Sequence, residues 1–264
     1  MLTKIKRSVA VKAYRLGLLP KRFAKSVEKN PLFADKTVVW NDKGFYELTP
    51  MPTQAQLDHY YSISYWLARG DQKNRLIDRD LDHWLTLRPF LNTILSKQGP
   101  YRFLNFGAGH GGISHLFFAA GFLVTNCEPS IIKSTFDGVD WTNLQTIYDI
   151  DESLPLFDLL YASHSIEHVQ NIDTFFYKID KLIKSGGFCF FEVPNCRQTN
   201  IVNPLNGGQN GKVSVPHTYY FTTDFFRGLP YLCLMLRTFS GAASPKKEAL
   251  DEDGEVIRYL GRKI

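Results

Sequence analysis

The stretch that most constrains the fold lies between residues 101 and 128, where two apolar runs flank a glycine-dense turn. The first run, 101–106, leads into Gly107-Ala-Gly-His-Gly-Gly112. An amphipathic segment then ends at Gly121, and the second run, 122–127, stops at Glu128. This order predicts a strand, a tight turn, a helix and a second strand closed by a carboxylate.

Each part of this unit has a physical role in binding a ligand. Gly107 and Gly109 let the backbone turn sharply and approach a ligand closely, because glycine has no Cβ. The N-terminus of the following helix offers unpaired N–H groups to a polar or anionic group. Glu128, about twenty residues after the first glycine, is placed to accept hydrogen bonds from two ribose hydroxyls. The unit therefore indicates an adenosine-containing cofactor.

The same alternation continues to residue 194. The pattern predicts strands at 144–148, 156–162 and 188–193, a helix at 173–183 ending at the glycine cap Gly186-Gly187, and late strands at 232–240 and 254–262. Residues 196–215 show no periodicity and are expected to form a loop. Alternating strands and helices predict a Rossmann-like, doubly wound α/β sheet that binds ligands at the carboxyl ends of its strands.

The first 29 residues carry nine lysines and arginines against one acid, Glu28. Apolar residues recur there at helical spacing, which predicts an N-terminal helical arm that is either a solvated extension or a peripheral contact with an anionic membrane. We predict that residues 1–70 form this arm and a lid-like segment, with Thr53 capping a helix and Gln56 completing the capping box. Residues 71–264 form the predicted second domain.

Composition excludes several classes of protein. No apolar run approaches the roughly 20 residues that span a bilayer, and no secretory signal is visible. The four cysteines are far apart without a CxxC pair, so reduced thiols are expected, with no metal site. We therefore expect a cytoplasmic protein, with peripheral contact at the inner membrane surface as the alternative. A helix is predicted over 73–97, and Asp80, Asp82 and His83 are interpreted as part of its solvated face.

A set of motifs in fixed order resembles the class I methyltransferases that use S-adenosylmethionine. The resemblance covers about residues 100–264 and rests on Gly107-Ala-Gly-His-Gly111, Glu128, Phe157-Asp-Leu, Ser163-His164 with Glu167-His168-Val169, Lys184-Ser-Gly-Gly187 and Val193-Pro-Asn195. It implies a seven-stranded sheet whose last strand is antiparallel, and S-adenosylmethionine as cofactor.

The resemblance also implies roles for individual residues. The glycine turn would hold the methionine part of the cofactor, Glu128 the ribose, and Asp149 with Ile150 would border the adenine. The cofactor-binding residues implied are Asn105, Gly107, Ala108, Gly109, Gly111, Glu128, Pro129, Asp149, Ile150 and Ser163. One departure stands out, because the family usually has an acid where this chain has Asn105, and an amide offers no full negative charge to the cofactor's ammonium group.

A second resemblance lies upstream of the sheet. Gly44-Phe45, Pro50-Met-Pro52, Gln56-Leu57 and Tyr60-Tyr61 are similar to a segment found in methyltransferases with an N-terminal zinc ribbon. Many enzymes of that subset act on sugars or small natural products. The cysteines of the ribbon are missing here, so the segment is interpreted as an arm without its zinc.

The proton of the acceptor needs a base. In related sugar methyltransferases a Glu-His pair supplies it, which points to His168 with Glu167, and His164 is a further candidate. The other interpretation is that Glu167 and His168 only orient their loop. Substrate contacts are expected from His217, Tyr219 and Asn195. The predicted function is methyl transfer to a small-molecule or saccharide acceptor, with the atom methylated and the oligomeric state left open.

Three alternatives remain from the sequence. Gly107, Gly109 and Gly112 also fit the GxGxxG pattern of NAD(P)-dependent oxidoreductases, and Tyr177 with Lys181 mimics a dehydrogenase pair. A non-catalytic binding or scaffold protein on a methyltransferase fold would explain Asn105 and the missing zinc. A nucleic-acid substrate is disfavoured, because the Asn/Asp-Pro-Pro-Tyr type of motif is missing where Tyr161-Ala-Ser-His164 stands.

Overall fold

The computed structural model describes most of the chain from residue 32 onward. The described ranges are 32–33, 36–61, 76–95, 99–129, 142–153, 156–196, 202–203, 210–213, 217–240, 247–248 and 254–264. The predicted basic arm at 1–29 lies outside the described residues. Within them, no helix is both long and apolar enough to cross a bilayer.

The larger of two β-sheets forms the centre of the molecule. Its strands are β3 (Arg102–Phe106), β4 (Leu123–Cys127), β5 (Thr142–Leu144), β6 (Phe157–Ser163), β7 (Ile183–Pro194), β11 (Leu232–Ser240), β12 (Lys247–Glu248) and β13 (Val256–Arg262). The helices are α1 (Gln54–His59), α2 (Asp78–Leu95), α3 (Gly112–Ala119), α4 (Ile172–Leu182) and α5 (Thr223–Arg227). Two 3-10 turns cover Ile147–Asp149 and Ile166–His168.

The strand order of this sheet is β12-β11-β13-β7-β6-β3-β4-β5. Strands β7, β6, β3, β4 and β5 pair in parallel, and β13 is antiparallel to both β7 and β11. The two-residue β12 extends one edge. Apart from that short strand, the sheet has seven strands with the last one antiparallel, which confirms the predicted fold class.

Helices cover both faces of the sheet because alternate strand residues point to opposite sides. Leu104 and Leu160 pack with Phe175 of α4 in one apolar cluster, whereas Phe103 packs with Phe117 of α3 in the other. Strand β6 is buried along its whole length, as expected for a central parallel strand covered on both faces.

A second, five-stranded sheet has the order β10-β2-β1-β9-β8. Its strands are β1 (Thr37–Asn41), β2 (Phe45–Thr49), β8 (Val202–Asn203), β9 (Asn210–Val213) and β10 (Tyr219–Phe221). The prediction of a loop over 196–215 is therefore wrong in part, because β1 supplies a pairing partner for β9 that periodicity cannot reveal. This sheet joins residues from both sides of the predicted domain boundary, which itself stays a prediction.

Several predicted element ends shift in the structure. The third strand ends at Leu144, and part of the predicted strand forms the first 3-10 turn. Helix α4 ends at Leu182 without a glycine cap, and Gly186, with φ +77°, lies inside β7 instead. The capping box at Thr53 and Gln56 is present as predicted and starts α1.

Candidate active site

One cavity opens at the carboxyl ends of β3, β4 and β6, where the sequence placed the ligand. Its wall includes the turn from Gly107 to Gly112, the loop after β4, the second 3-10 turn and the start of α2. Nine of the predicted cofactor and catalytic residues line it: Gly107, Ala108, Gly109, Gly111, Glu128, Pro129, Ser163, His164 and His168.

The glycine turn adopts a backbone that requires glycine. Gly107, Gly109 and Gly111 have φ values of +71°, +53° and +75°. A Cβ on Gly107 would lie 2.6 Å from the Cβ of Ser165, so the first position has no room for a side chain. The turn thus presents bare backbone to the cavity, which suits close contact with a cofactor.

Glu128 lies at the end of β4 and fixes the turn from the opposite side. Its Oε2 accepts a hydrogen bond of 2.8 Å from the backbone N–H of Gly109. The wall beyond it is formed by Gln145, Thr146, Ile147 and Tyr148. Bare turn backbone, a carboxylate and a flat aromatic wall fit the polar and planar parts of S-adenosylmethionine, so Glu128 would hold the ribose and Tyr148 would border the adenine.

The structure places the two predicted adenine neighbours elsewhere. Neither Asp149 nor Ile150 is on the described cavity wall. Ile150 is buried in the core, and its carbonyl accepts a hydrogen bond from Lys178 Nζ. The cause is the 3-10 turn, which brings Ile147 and Tyr148 to the cavity wall. A strand continuing through this segment would have brought Asp149 and Ile150 there instead.

Asn105 lies beneath the glycine turn and not on the cavity wall. It is buried, and its Nδ2 donates a 2.8 Å hydrogen bond to Ser114 Oγ, which in turn donates to Asn126 Oδ1. The Oδ1 of Asn105 is buried and finds no hydrogen-bond partner among the residues that the structure describes. This amide therefore ties β3 to α3 and β4 and contributes no charge to the cavity.

Glu167 is a buried carboxylate surrounded by three histidines. His164 Nδ1 lies 3.6 Å and His168 Nε2 lies 3.8 Å from its Oε1, and neither carboxylate oxygen has a hydrogen-bond partner within the described part of the chain. The ring of His217 contacts that of His168 at 4.9 Å between centroids. The other nitrogen of His168, Nδ1, is hydrogen-bonded to Tyr61 Oη at 2.7 Å.

The histidines keep Glu167 ionised. Burial by itself raises the pKa of Glu167, but the attraction of the carboxylate for His168 and His164 in their protonated forms outweighs it and lowers the pKa to about 2. Burial lowers the pKa of His164, yet its contacts with Glu167 and Glu192 reverse the effect and leave that pKa raised. The site therefore combines a permanent negative charge with imidazoles that can take up a proton.

His164 connects this group to a second set of buried charges. Its Nε2 is 3.3 Å from Glu192 Oε1, and its backbone has a φ of +51°, which is strained for a residue with a Cβ. Glu192 Oε2 accepts hydrogen bonds from Arg258 and is 2.7 Å from His83 Nε2. Burial lowers the pKa of His83 to about 4, so this histidine is neutral near pH 7.

The interpretation of Asp80, Asp82 and His83 as a solvated helix face is wrong. His83 and Asp80 are buried, and Asp82 Oδ2 pairs with Arg258 Nη2 at 2.7 Å. His83 and Asp82 face the sheet because β7 and β13 present Glu192 and Arg258 to the same side of α2. Charge pairing with distant strands is invisible to helical periodicity.

None of the three predicted substrate residues is on the described cavity wall. Tyr219 Oη interacts with the backbone of Ile172 and Gln170, and Asn195 Nδ2 donates to the carbonyl of Gly254. Both are buried because they hold neighbouring segments together. The third residue, His217, lies behind His168.

Sequence reasoning missed several lining residues. Arg79, Asp80, Gln54 and Asp58 reach the cavity from the first turn of α2 and from α1. The capping box gave the position of α1, but only its packing on the sheet shows which side chains face the ligand. Tyr61 belongs to the tyrosine-rich segment interpreted as a lid or wall, and it does line the cavity.

Comparison with known proteins gives the class of this protein. A family model described as a methyltransferase domain matches residues 72–227, so the chain belongs to that family. A ubiquinone biosynthesis O-methyltransferase of Rickettsia conorii is 28% identical over 141 residues, which are 51% of this chain and 47% of that protein. The chain thus spans about half the length of this curated relative.

The fold comparison agrees. An S-adenosylmethionine-dependent methyltransferase from Clostridium acetobutylicum superposes with a TM-score of 0.50 at 12% identity, covering 71% of this chain and 92% of that one. The chain contains a methyltransferase domain, as the motifs predicted, and its fold is that of S-adenosylmethionine-dependent methyltransferases. The oxidoreductase alternative is wrong, and neither Tyr177 nor Lys181 is on the described cavity wall, because both lie on an exposed face of α4.

Proposed function

We propose that the protein transfers a methyl group from S-adenosylmethionine to a hydroxyl oxygen of a small molecule, with His168 receiving the hydroxyl proton. One observation carries this proposal. His168 lines the same cavity as the glycine turn, with Nδ1 held by Tyr61 and Nε2 directed toward Glu167.

The cavity wall near His168 indicates the class of acceptor. Gln54, Asp58 and Gln170 offer amide and carboxylate groups there, next to the ring of Tyr61. Such groups hydrogen-bond hydroxyls, and an aromatic ring covers an apolar face, so a saccharide or another polyhydroxylated molecule suits the site. Oxygen as the methylated atom is supported by the O-methyltransferase of Rickettsia conorii named above.

The chemistry asked of the chain is limited. Bound S-adenosylmethionine supplies a methyl group on a sulfonium, so the protein needs mainly to align the acceptor and accept its proton. Nε2 of His168 faces Glu167 and Nδ1 is hydrogen-bonded to Tyr61 Oη, so the acceptor proton would reach Nδ1 through the Tyr61 hydroxyl, which gives its own proton to Nδ1 as it takes the acceptor's. The negative charge of Glu167 then stabilises the imidazolium.

The test compares isosteric variants in an assay of S-adenosylhomocysteine release with a panel of monosaccharides, nucleotide sugars and phenols. His168→Gln is expected to lower kcat by about 10²–10⁴-fold, because general-base catalysis contributes that much, while binding of S-adenosylhomocysteine stays unchanged. Glu167→Gln is expected to lower kcat less. His59→Gln changes an exposed histidine of α1 and is the control. Full activity of His168→Gln would refute the base.

A second role of the same group is tested by chelation. Ligand atoms of Glu167, His168 and His217 lie within 4.8 Å of one another, a spacing that small movements would close around a divalent cation. Activity that survives dialysis against EDTA supports proton transfer to His168. Activity that is lost with EDTA and restored by Zn²⁺ or Mn²⁺ would instead make this group a cation site that acidifies the acceptor hydroxyl.

A further inference from the structure

The cofactor carries a positive and a negative charge side by side, and the glycine turn alone offers no side-chain charge to bind them. The methionine end of S-adenosylmethionine carries an α-ammonium and an α-carboxylate side by side. The family resemblance expected an acid at the position of Asn105, and the structure shows that this neutral amide is buried beneath the turn. Any charge complementary to the ammonium group must therefore come from another element.

The first turn of α2 supplies an acid at the right place. Asp80 lines the cavity beside the glycine turn and is only 8% exposed. A Cβ on Gly112, the first residue of α3, would lie 2.8 Å from Asp80 Cγ, so the carboxylate sits directly against the turn. Its Oδ2 accepts one hydrogen bond, of 3.1 Å, from the backbone N–H of Ile77.

The neighbouring residue supplies the opposite charge. Arg79 lines the same cavity, and its Nε is buried without a hydrogen-bond partner among the described residues. A buried guanidinium nitrogen without a partner costs free energy unless a ligand completes it. A carboxylate is the ligand that a guanidinium binds best, since it accepts two parallel hydrogen bonds.

We propose that Asp80 and Arg79 form the binding site for the zwitterionic amino-acid end of the cofactor, with Asp80 facing its ammonium and Arg79 its carboxylate. In this chain α2 thereby replaces the charge that Asn105 lacks. The inference rests on S-adenosylmethionine being the cofactor and is independent of the acceptor and of His168.

The test uses two ligands that differ only in the amino-acid end. S-adenosylhomocysteine carries it, and 5′-methylthioadenosine has the same nucleoside and thioether without it. Calorimetric titration is expected to show that Asp80→Asn and Arg79→Gln each weaken binding of S-adenosylhomocysteine by about 10- to 100-fold, the usual value of a hydrogen bond to a charged group. Binding of 5′-methylthioadenosine should change by less than about twofold.

Two controls come from the same helix. Asp78→Asn and Arg88→Gln remove the same charges from exposed positions of α2 and should leave both affinities unchanged. Equal losses of affinity for both ligands would overturn the proposal, as would unchanged S-adenosylhomocysteine binding in Asp80→Asn. Asp80 would then only hold α2 against the start of α3.

If Asp80→Asn does not fold, the carboxylate half of the site can still be tested with the unmutated protein and Arg79→Gln. An S-adenosylhomocysteine analogue without the carboxylate should bind about 10- to 100-fold more weakly than the parent ligand, and Arg79→Gln should bind the two equally. An analogue that binds as well as the parent would overturn the role of Arg79. Failure of the unmutated protein to bind either nucleoside would overturn the cofactor assignment, whatever the fate of the acceptor proposal.

Discussion

Two buried charged residues in neighbouring strands organise the interior of this protein. Glu192 lies among apolar residues of β7 and Arg258 among those of β13, each with less than 2% of its surface exposed. They are paired side by side in the sheet and hydrogen-bonded to each other. Removing one member leaves the other charge buried and unpaired, which is far more costly than losing a surface ion pair.

Arg258→Met is expected to lower the free energy of unfolding by about 3 kcal/mol, because the buried carboxylate of Glu192 loses its guanidinium partner and keeps only its contacts with His83 and His164. Arg227→Met removes an arginine whose ion pair with Asp224 is half exposed, and should cost less than about 1 kcal/mol. Denaturant unfolding of both variants checks this. Equal losses would mean that Glu192 is relieved by protonation or by water.

At the scale of elements, the turns at the two ends of α3 look alike in sequence and differ in surroundings. Gly107 precedes the helix and Gly121 follows it, with φ values of +71° and +87°. A Cβ on Gly107 would collide with Ser165, whereas a Cβ on Gly121 meets nothing within 4 Å. Both positions favour glycine because of their positive φ, but only Gly107 is also packed closely against a neighbouring residue.

Gly121→Ala is therefore expected to cost about 1 kcal/mol of backbone strain and to leave S-adenosylhomocysteine binding unchanged. Gly107→Ala should lose more than about tenfold in that binding, because the turn must move away from Ser165 and out of position. Calorimetry on both variants, with circular dichroism to check folding, makes the comparison. Unchanged affinity in Gly107→Ala would show that the turn does not contact the cofactor.

At the scale of the whole molecule, the two sheets share one hydrophobic core. Phe45 of β2 is 1% exposed and makes ring contacts with Tyr219, Phe221 and Phe225. It belongs to the same cluster as Phe175 of α4 on the larger sheet. The small sheet is also hydrogen-bonded to the second 3-10 turn. The N–H of Thr218, directly before β10, donates to the carbonyl of Glu167.

Phe45→Ala is consequently expected to destabilise the entire molecule by about 3–5 kcal/mol, the usual cost of such a cavity. Unfolding followed by fluorescence and by circular dichroism should show one coincident transition at a lower denaturant concentration. Tyr177→Ala, at a position 64% exposed, is the control and should change little. Two separate transitions would mean that the small sheet folds as an independent unit.

The sequence by itself determined the local elements and the edge of the sheet at which the ligand binds. Apolar runs and glycines placed β3, α3 and β4, Thr53 and Gln56 started α1, and late apolar runs placed β11 and β13. These features depend on residues within one or two turns of each other, so periodicity and capping reveal them. The glycine turn, Glu128 and His168 were accordingly found on the cavity wall.

Only the tertiary structure decided which distant residues share a site. His83 and Asp80 have the helical spacing of a surface, yet both are buried. His83 faces the carboxylate that β7 places opposite α2, and Asp80 lies against the first residue of α3. The strand β9 exists because β1 pairs with it across more than 160 residues. Pairing across such separations depends on how the chain folds back on itself, and no local pattern encodes it.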